Sequence, residues 1–269
     1  MKKVLVLDLD GTLTNSDKKI TKRTQNVLLT MQKEGHIVVL ASGRPAPGVM
    51  PVARELHLEK YGGYVICCNG GLIIDCCTGE VLFQKVLTKE LVAEIFHLAE
   101  ELKIGIMTYN KRGIVAGSRQ DQYMELASAI NHLEIQHSDD PMELVTEPVS
   151  KCLGTAPEDV APAIEEEFRK RFGNRLTVLR SEPFFIELIP GGVDKAQGIA
   201  ALIEKLGIAR EDVIACGDGF NDISMVKYAG LGIAMANAQD SVKEAADAVT
   251  LSNDEDGVAK VIEEYILGG

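Results

Sequence analysis

Two aspartates one residue apart, Asp8 and Asp10, close a short apolar run and are followed at once by Gly11 and Thr12. Carboxylates so placed can hold a metal ion, attack an electrophile or carry a proton. Burying them unpaired is expensive, so they need a cation or hydrogen bonds. A solvated Asp-Gly-Thr turn would use the same residues. In Ala41-Ser42-Gly43-Arg44 a hydroxyl, an open backbone N–H and a guanidinium follow a second apolar run. That set suits a phosphate group; a Ser-Gly turn with a surface arginine is the plain alternative. Gly217-Asp218-Gly219-Phe220-Asn221-Asp222 gathers the acceptors Asp218, Asn221 and Asp222 after a third run. Oxygen donors at that density suit a hard cation such as Mg²⁺, and a solvated Asp-Gly turn is again the alternative. Lys195 opens a helical pattern, at the end where the helix dipole disfavours a cation unless an anion waits there.

These stretches need elements to position them. Residues 3–9, 36–41 and 64–68 read as strands, and 21–33 reads as a helix with Val27, Leu28 and Met31 on one face and Gly35 as its stop. Pro45 and Pro47 break the chain before a short helical stretch at 49–56. Strand, helix, strand at this spacing predicts βαβ units and a parallel sheet. Residues 72–75 and 80–86 flank a turn and read as a hairpin. The middle differs. An amphipathic helix at 88–102 carries Leu91, Ile95, Leu98 and Leu102 on one stripe. Strands are expected at 104–109, 113–116, 176–179 and 184–189, a helix at 158–172 and a polar stretch at 138–148. From Lys195 the alternation resumes: a helix to 206, a strand at 213–216, a helix near 222–228, a strand at 231–235 and a helix after Gly257. The pattern predicts an α/β fold, a doubly wound, mostly parallel, Rossmann-like sheet interrupted by an α+β insertion. Each of the four chemical stretches then falls at the C-terminal edge of the sheet, where open α/β sheets bind ligands.

The 269 residues are 46% hydrophobic and 25% charged, an ordinary globular mix. A net charge of −12 gives no overall field for nucleic acid or an anionic membrane. No apolar run approaches the ~18 residues of a membrane helix. The N-terminal run stops at Asp8, short of the roughly 7–15 residues of a secretory h-region, so the chain is expected in the cytoplasm. Cys67, Cys68, Cys76 and Cys77 form adjacent pairs in apolar stretches and read as buried reduced thiols. A zinc site there is the alternative, although zinc ligands favour spacings of two to four residues on loops.

Rival chemistries lack their residues. A dinucleotide site needs G-x-G-x-x-G after the first strand, and a P-loop needs Gly-Lys. His57-Leu58-Glu59 and His132-Leu133-Glu134 imitate a deaminase His-x-Glu, but no Pro-Cys-x-x-Cys accompanies either.

Taken in order, Asp8-Leu9-Asp10-Gly11-Thr12-Leu13, Ala41-Ser42-Gly43-Arg44, the helix-opening Lys195 after Gly191-Gly192-Val193-Asp194, and Gly217–Asp222 resemble the four motifs of the haloacid dehalogenase (HAD) superfamily. The insertion resembles the α+β cap of its Cof-type, class IIB sugar-phosphatase branch, and the likeness covers nearly the whole chain. Ala236 and Ala196 stand where that branch often has glycine. The resemblance implies a catalytic core of 1–83 plus 188–269 and a cap of 84–187 that reads the substrate. It implies that Asp8 is the nucleophile and Asp10 the general acid and base. Ser42 and Lys195, with Gly43, Arg44 and Asn221, would bind the phosphoryl group and substrate. Asp8, the Asp10 carbonyl and Asp218 would hold Mg²⁺, with Asp222 as its acidic support. The expected reaction is hydrolysis of a small phosphorylated metabolite, a sugar phosphate or a phosphorylated cofactor. The alternatives are a phosphomutase-type transferase and a phosphate-ligand binding protein without turnover. In the cap, Met107, Tyr109 and Arg112 are candidates to face the substrate, with packing roles as the alternative. The motifs name neither one metabolite nor an oligomeric state.

Overall fold

In the computed structural model, which describes residues 2–268, the first apolar run becomes strand β1 (Val4–Leu7), buried at every position. Thr21 caps helix α1 (Lys22–Lys33) by accepting the Thr24 N–H. After it come β2 (Ile37–Ala41), α2 (Ala46–Glu55), the short α3 (Leu58–Tyr61), β3 (Tyr64–Cys67) and the hairpin β4 (Leu72–Asp75) and β5 (Val81–Gln84). The chain then leaves this sheet for α4 (Lys89–Leu102), β6 (Gly105–Asn110), β7 (Gly113–Ala116), α5 (Gln122–Asn131), β8 (Ile135–Gln136), α6 (Pro141–Leu144), β9 (Cys152–Thr155), α7 (Ala161–Phe172), β10 (Leu176–Glu182) and β11 (Phe185–Pro190). It returns as α8 (Lys195–Leu206), β12 (Val213–Gly217), α9 (Ile223–Tyr228), β13 (Leu231–Ala234), α10 (Asp240–Ala245), β14 (Ala248–Val249) and α11 (Gly257–Tyr265).

The first sheet has the order β14-β13-β12-β1-β2-β3-β4-β5. It is parallel from β14 to β3, and β4 and β5 are antiparallel. β1 lies between β12 and β2, so chain order reverses at its carboxyl end. That switch point is where such sheets open a crevice. The second sheet, β10-β11-β9-β6-β7-β8, is antiparallel except for the β7–β8 edge. Each sheet has its own apolar packing. Leu5, Leu7, Leu40 and Ile66 belong to one cluster, and Ile95, Phe168, Ile186 and Leu188 to another.

Several local readings change. Helix α5 was not expected, because the apolar side of Gln-Tyr-Met-Glu-Leu-Ala-Ser-Ala-Ile-Asn is built largely from Met124 and alanine; its signal is the Asp121 cap, which accepts from the Tyr123 and Met124 N–H groups. Strand β9 and the tight elements α3, α10 and β14 are too short for periodicity to find. Strand β11 runs on through Pro190. Cys77 is exposed, because it sits in the turn before β5, while Cys67, Cys68 and Cys76 are buried and free.

Candidate active site

β1 ends where Asp8 begins, and the ladder carries it one step further: the Asp8 N–H donates to the Cys216 carbonyl at 3.1 Å. Asp8 and the Asp218–Asp222 loop are thereby set side by side at the ends of adjacent strands. The Asp194 carboxylate caps α8 by accepting the Gln197 N–H at 2.8 Å. Lys195, the first residue of that helix, is fully buried, and its Nζ reaches Asp8 Oδ1 and Asp222 Oδ1, each at 2.5 Å. Burial alone would push this ammonium down, but Asp222 and Asp8 outweigh it and hold it protonated. The unfavourable helix-start position is thus compensated by two anions.

Asp222 also accepts the Asp218 and Gly219 N–H groups, both at 2.9 Å, through its second oxygen. This folds the loop back on itself and turns Asp218 toward Asp8. Thr12 Oγ1 donates to Asp218 Oδ1 at 2.6 Å. Gly11, at φ +81°, lets the chain pass there, since a Cβ at that position would lie 2.3 Å from Asp218 Oδ2. Among the described residues, Asp8, Asp218 and Asp222 form the group able to hold a metal ion, each offering an oxygen within 4.8 Å of the others. Three carboxylates face one ammonium. Burial, then Asp222, push Asp8 up to about 7, and burial, then Asp8 and Asp222, push Asp218 up to about 8. The residual negative charge and the all-oxygen donor set fit a hard divalent cation.

Asp10 is held elsewhere. Its carboxylate receives Arg44 Nε at 2.7 Å, Arg44 Nη2 at 2.6 Å and Lys18 Nζ at 2.9 Å. Burial would raise Asp10, but Arg44 and Lys18 prevail and keep it ionised. The Asp10 carboxylate lies outside the three-aspartate group; the metal ligand expected of this residue is its carbonyl. One expectation does change. The Arg44 guanidinium, expected on the phosphate, is engaged by Asp10 because a bidentate carboxylate satisfies its fork. Arg44 Nη1 also donates to the Gly48 carbonyl at 3.2 Å.

Ser42 is buried; its Oγ accepts the Arg44 N–H at 3.1 Å, and no hydrogen bond donated by that hydroxyl occurs among the described residues. Asn221 Nδ2 donates to Asn69 Oδ1 at 2.8 Å. Ser42, Gly43, Arg44, Asp8, Asp10, Asp218, Asn221 and Asp222 all line one cleft of about 250 Å³ between the two sheets. Of the insertion candidates, Tyr109 lines this cleft. Met107 is fully buried in the apolar cluster on the same face of β6, and Arg112 is exposed in the β6–β7 turn.

Three further residues matter here. Asn69 is fully buried beside Gly43, where a Cβ would lie 3.1 Å from its Nδ2. Lys151 and Glu187 are a buried ion pair at 2.7 Å, and Lys151 Nζ also donates to the Gly43 carbonyl at 2.8 Å. A glutamate inside the apolar run Phe184–Pro190 and a lysine heading Cys152–Thr155 were the available signals.

A doubly wound sheet with acidic strand-end loops, a buried lysine and an inserted antiparallel unit defines a class of hydrolases. The model of haloacid dehalogenase-like hydrolases matches residues 5–262, and the chain belongs to that family. Within it the chain falls in the Cof-type, class IIB phosphatase branch. A haloacid dehalogenase-like hydrolase from Bacteroides thetaiotaomicron superposes with TM-score 0.90 at 44% identity, covering 98% of this chain and 99% of that one. The class IIB sugar phosphatase BT4131 superposes with TM-score 0.84 at 25% identity, covering 98% and 99%. The 5-amino-6-(5-phospho-D-ribitylamino)uracil phosphatase YcsE of Bacillus subtilis is 31% identical, over 98% of this chain and 96% of its own. The protein is a phosphatase. No helix among the described residues is long and apolar enough to cross a membrane.

Proposed function

We propose that the protein hydrolyses monophosphate esters of small cytoplasmic metabolites, with Mg²⁺, through an aspartyl-phosphate on Asp8. The observation that carries this reading is the group of three carboxylates around one buried ammonium, opening into a cleft beside Ser42. An Asp8 oxygen attacks phosphorus, the ester P–O bond breaks, and the departing oxygen takes a proton from Asp10. Water then attacks the phosphoaspartate, yields its proton to Asp10 and releases phosphate and free Asp8. Asp10 rests ionised between Arg44 and Lys18, so donation requires it to gain a proton and loosen Arg44. Lys195 and the Ser42 hydroxyl stabilise the charge on the transferred group. Asp8, the Asp10 carbonyl and Asp218 would hold Mg²⁺, with Asp222 steadying Lys195 and the loop; the ion supplies positive charge against which two anions can meet. The unit at 84–187, with β11 continuing past it, acts as a cap that limits water and reads the leaving group.

The test is turnover of 4-nitrophenyl phosphate and a phosphometabolite panel. EDTA should abolish it, Mg²⁺ should restore it, and Ca²⁺, with longer and more numerous oxygen contacts, should support it poorly. Full turnover in EDTA contradicts the mechanism.

A further inference from the structure

The turn that follows β3 holds an unfavourable backbone and touches three parts of the site. Cys68, Asn69 and Gly70 all lie in the left-handed region, at φ +52°, +53° and +103°. Asparagine and glycine tolerate that region, cysteine does so at a cost, and such a run persists only where its surroundings hold it. The Cys68 and Asn69 N–H groups donate to the Arg44 and Ser42 carbonyls, each at 3.0 Å. Asn69 Oδ1 accepts from Asn221 Nδ2 at 2.8 Å. Gly70 passes so close to the residue before Lys195 that a Cβ there would lie 2.1 Å from the Asp194 carbonyl oxygen. The turn thus meets the Ser42–Arg44 loop, the acidic loop and the start of α8. Asn69 is the member whose side chain joins two of them. It is fully buried, so it acts only through its neighbours. Its Nδ2 has no hydrogen-bond partner, and a Cβ on Gly43 would lie 3.1 Å from that nitrogen. An unmet buried amide is destabilising. Local stability therefore does not account for an asparagine here, since glycine would adopt the same backbone without the orphaned group.

We propose that Asn69 is a positioning residue for phosphoryl transfer: it sets the separation between Ser42 and Gly43, on one side of the transferred group, and Asn221 with its acidic loop on the other. This rests on the phosphatase reading above and adds a residue to it. The two loops follow β2 and β12, and β1 stands between those strands, so no ladder hydrogen bond joins their ends. Asn69 arrives from β3, on the far side of β2, and spans the gap. Ser42, Gly43 and Asn221 all line the cleft, so a shift in their spacing is felt where the phosphoryl group must sit. A misplacement of about 1 Å in such a site costs on the order of 100-fold in rate.

The experiment compares Asn69→Gly with Asn69→Ala. Both remove the amide, but glycine adopts the left-handed backbone freely and alanine does not. Asn69→Gly should keep Tm within about 3 °C of the parent, and Asn69→Ala should lower it by about 3–6 °C more. Both should nevertheless lower kcat for 4-nitrophenyl phosphate with Mg²⁺ by a similar factor, about 30–100-fold. Competitive inhibition by inorganic phosphate should weaken by about tenfold in each. The Mg²⁺ concentration for half-maximal turnover should stay within about twofold of the parent's. Asp8, Asp218 and Asp222 take their hydrogen bonds from Lys195, Thr12 and the Asp218 and Gly219 N–H groups, none of which Asn69 holds. In an Asn221→Ala background, Asn69→Gly should cost less than about threefold, because the contact is already gone. Full turnover in Asn69→Gly, or losses that follow Tm across the two variants, overturns the proposal. So does a loss in the Asn221→Ala background as large as in the parent, or a Mg²⁺ requirement that rises as far as turnover falls. An absence of 4-nitrophenyl phosphate turnover by the parent protein would instead overturn the phosphatase reading itself.

Discussion

Two lysines among the described residues are buried, one in each unit, and their surroundings differ in charge. Lys195, in the parallel sheet, stands against Asp8 and Asp222 at 2.5 Å each, with Asp218 within reach of both carboxylates. Lys151, in the antiparallel unit, faces Glu187 alone at 2.7 Å and donates to a carbonyl. The first cluster carries a net negative charge and the second none. An unbalanced buried cluster is costly until a cation joins it, while a balanced pair needs no ion. The three-aspartate cluster is thus suited to a cation, and the Lys151–Glu187 pair is balanced within itself. On the proposed reading, catalysis belongs to the first and recognition to the second.

The largest effect that tests this division is on turnover. Lys195→Met should lower kcat by about 10³-fold or more, because the transferred group loses its principal fixed cation. Lys151→Met should retain turnover well above that level, with the loss concentrated in KM. Equal losses in both variants would erase the distinction.

The next effect is on stability. Lys151→Met strands Glu187 in a buried site, which costs about 3–5 kcal/mol and should lower Tm by roughly 10 °C in a chain of this size. The double variant Lys151→Met/Glu187→Met should recover much of that loss, because an apolar pair replaces the ions. No recovery would mean that the pair is not the source of the cost.

A smaller effect has opposite signs in the two units. Without metal, Asp8→Asn should raise Tm by about 2–4 °C, since it removes one of three mutually repelling carboxylates. Glu187→Gln should lower it by a similar amount. The measurement is calorimetry in EDTA, and a fall in both variants would contradict an overcharged core.

Smaller still is the effect of Arg44. Arg44→Lys gives up the two-pronged grip on Asp10 seen at 2.6 and 2.7 Å. Turnover of a sugar phosphate, which needs proton donation to its leaving oxygen, should fall by about tenfold, and that of 4-nitrophenyl phosphate by less. An equal fall on both would place Arg44 on the phosphate after all.

The two units also differed in how far their sequences could be read. In the core, Asp8, Ser42, Asp218 and Asp222 follow the points where apolar strands stop, and the parallel ladder sets those strand ends side by side; Lys195 stood out as a cation opening a helix. Their partnerships were not visible. Arg44 turns to Asp10 because of a distance that no spacing encodes, and Asn69 meets Asn221 across 152 positions of chain. In the antiparallel unit, Lys151 and Glu187 lie 36 residues apart and meet through the antiparallel pairing of β9 with β11, which no local pattern encodes, and α5 hides its apolar face among alanines. Tyr109 could be singled out from the sequence, and Met107 could not be told from it, because residues two apart on a strand share a face and the sequence does not say which of them reaches the cleft.

The central claim, that Asp8 bonds to phosphorus while Asp10 only moves protons, is tested most directly by a rapid-quench burst with 4-nitrophenyl phosphate and mapping of the trapped phosphopeptide. Nitrophenolate leaves without protonation, so Asp10→Asn should still form the phosphoenzyme and, lacking its base, accumulate it. The account predicts a burst in Asp10→Asn with the label on Asp8, and no burst in Asp8→Asn. Label on any other residue, or equal residual turnover in the two variants, would contradict it.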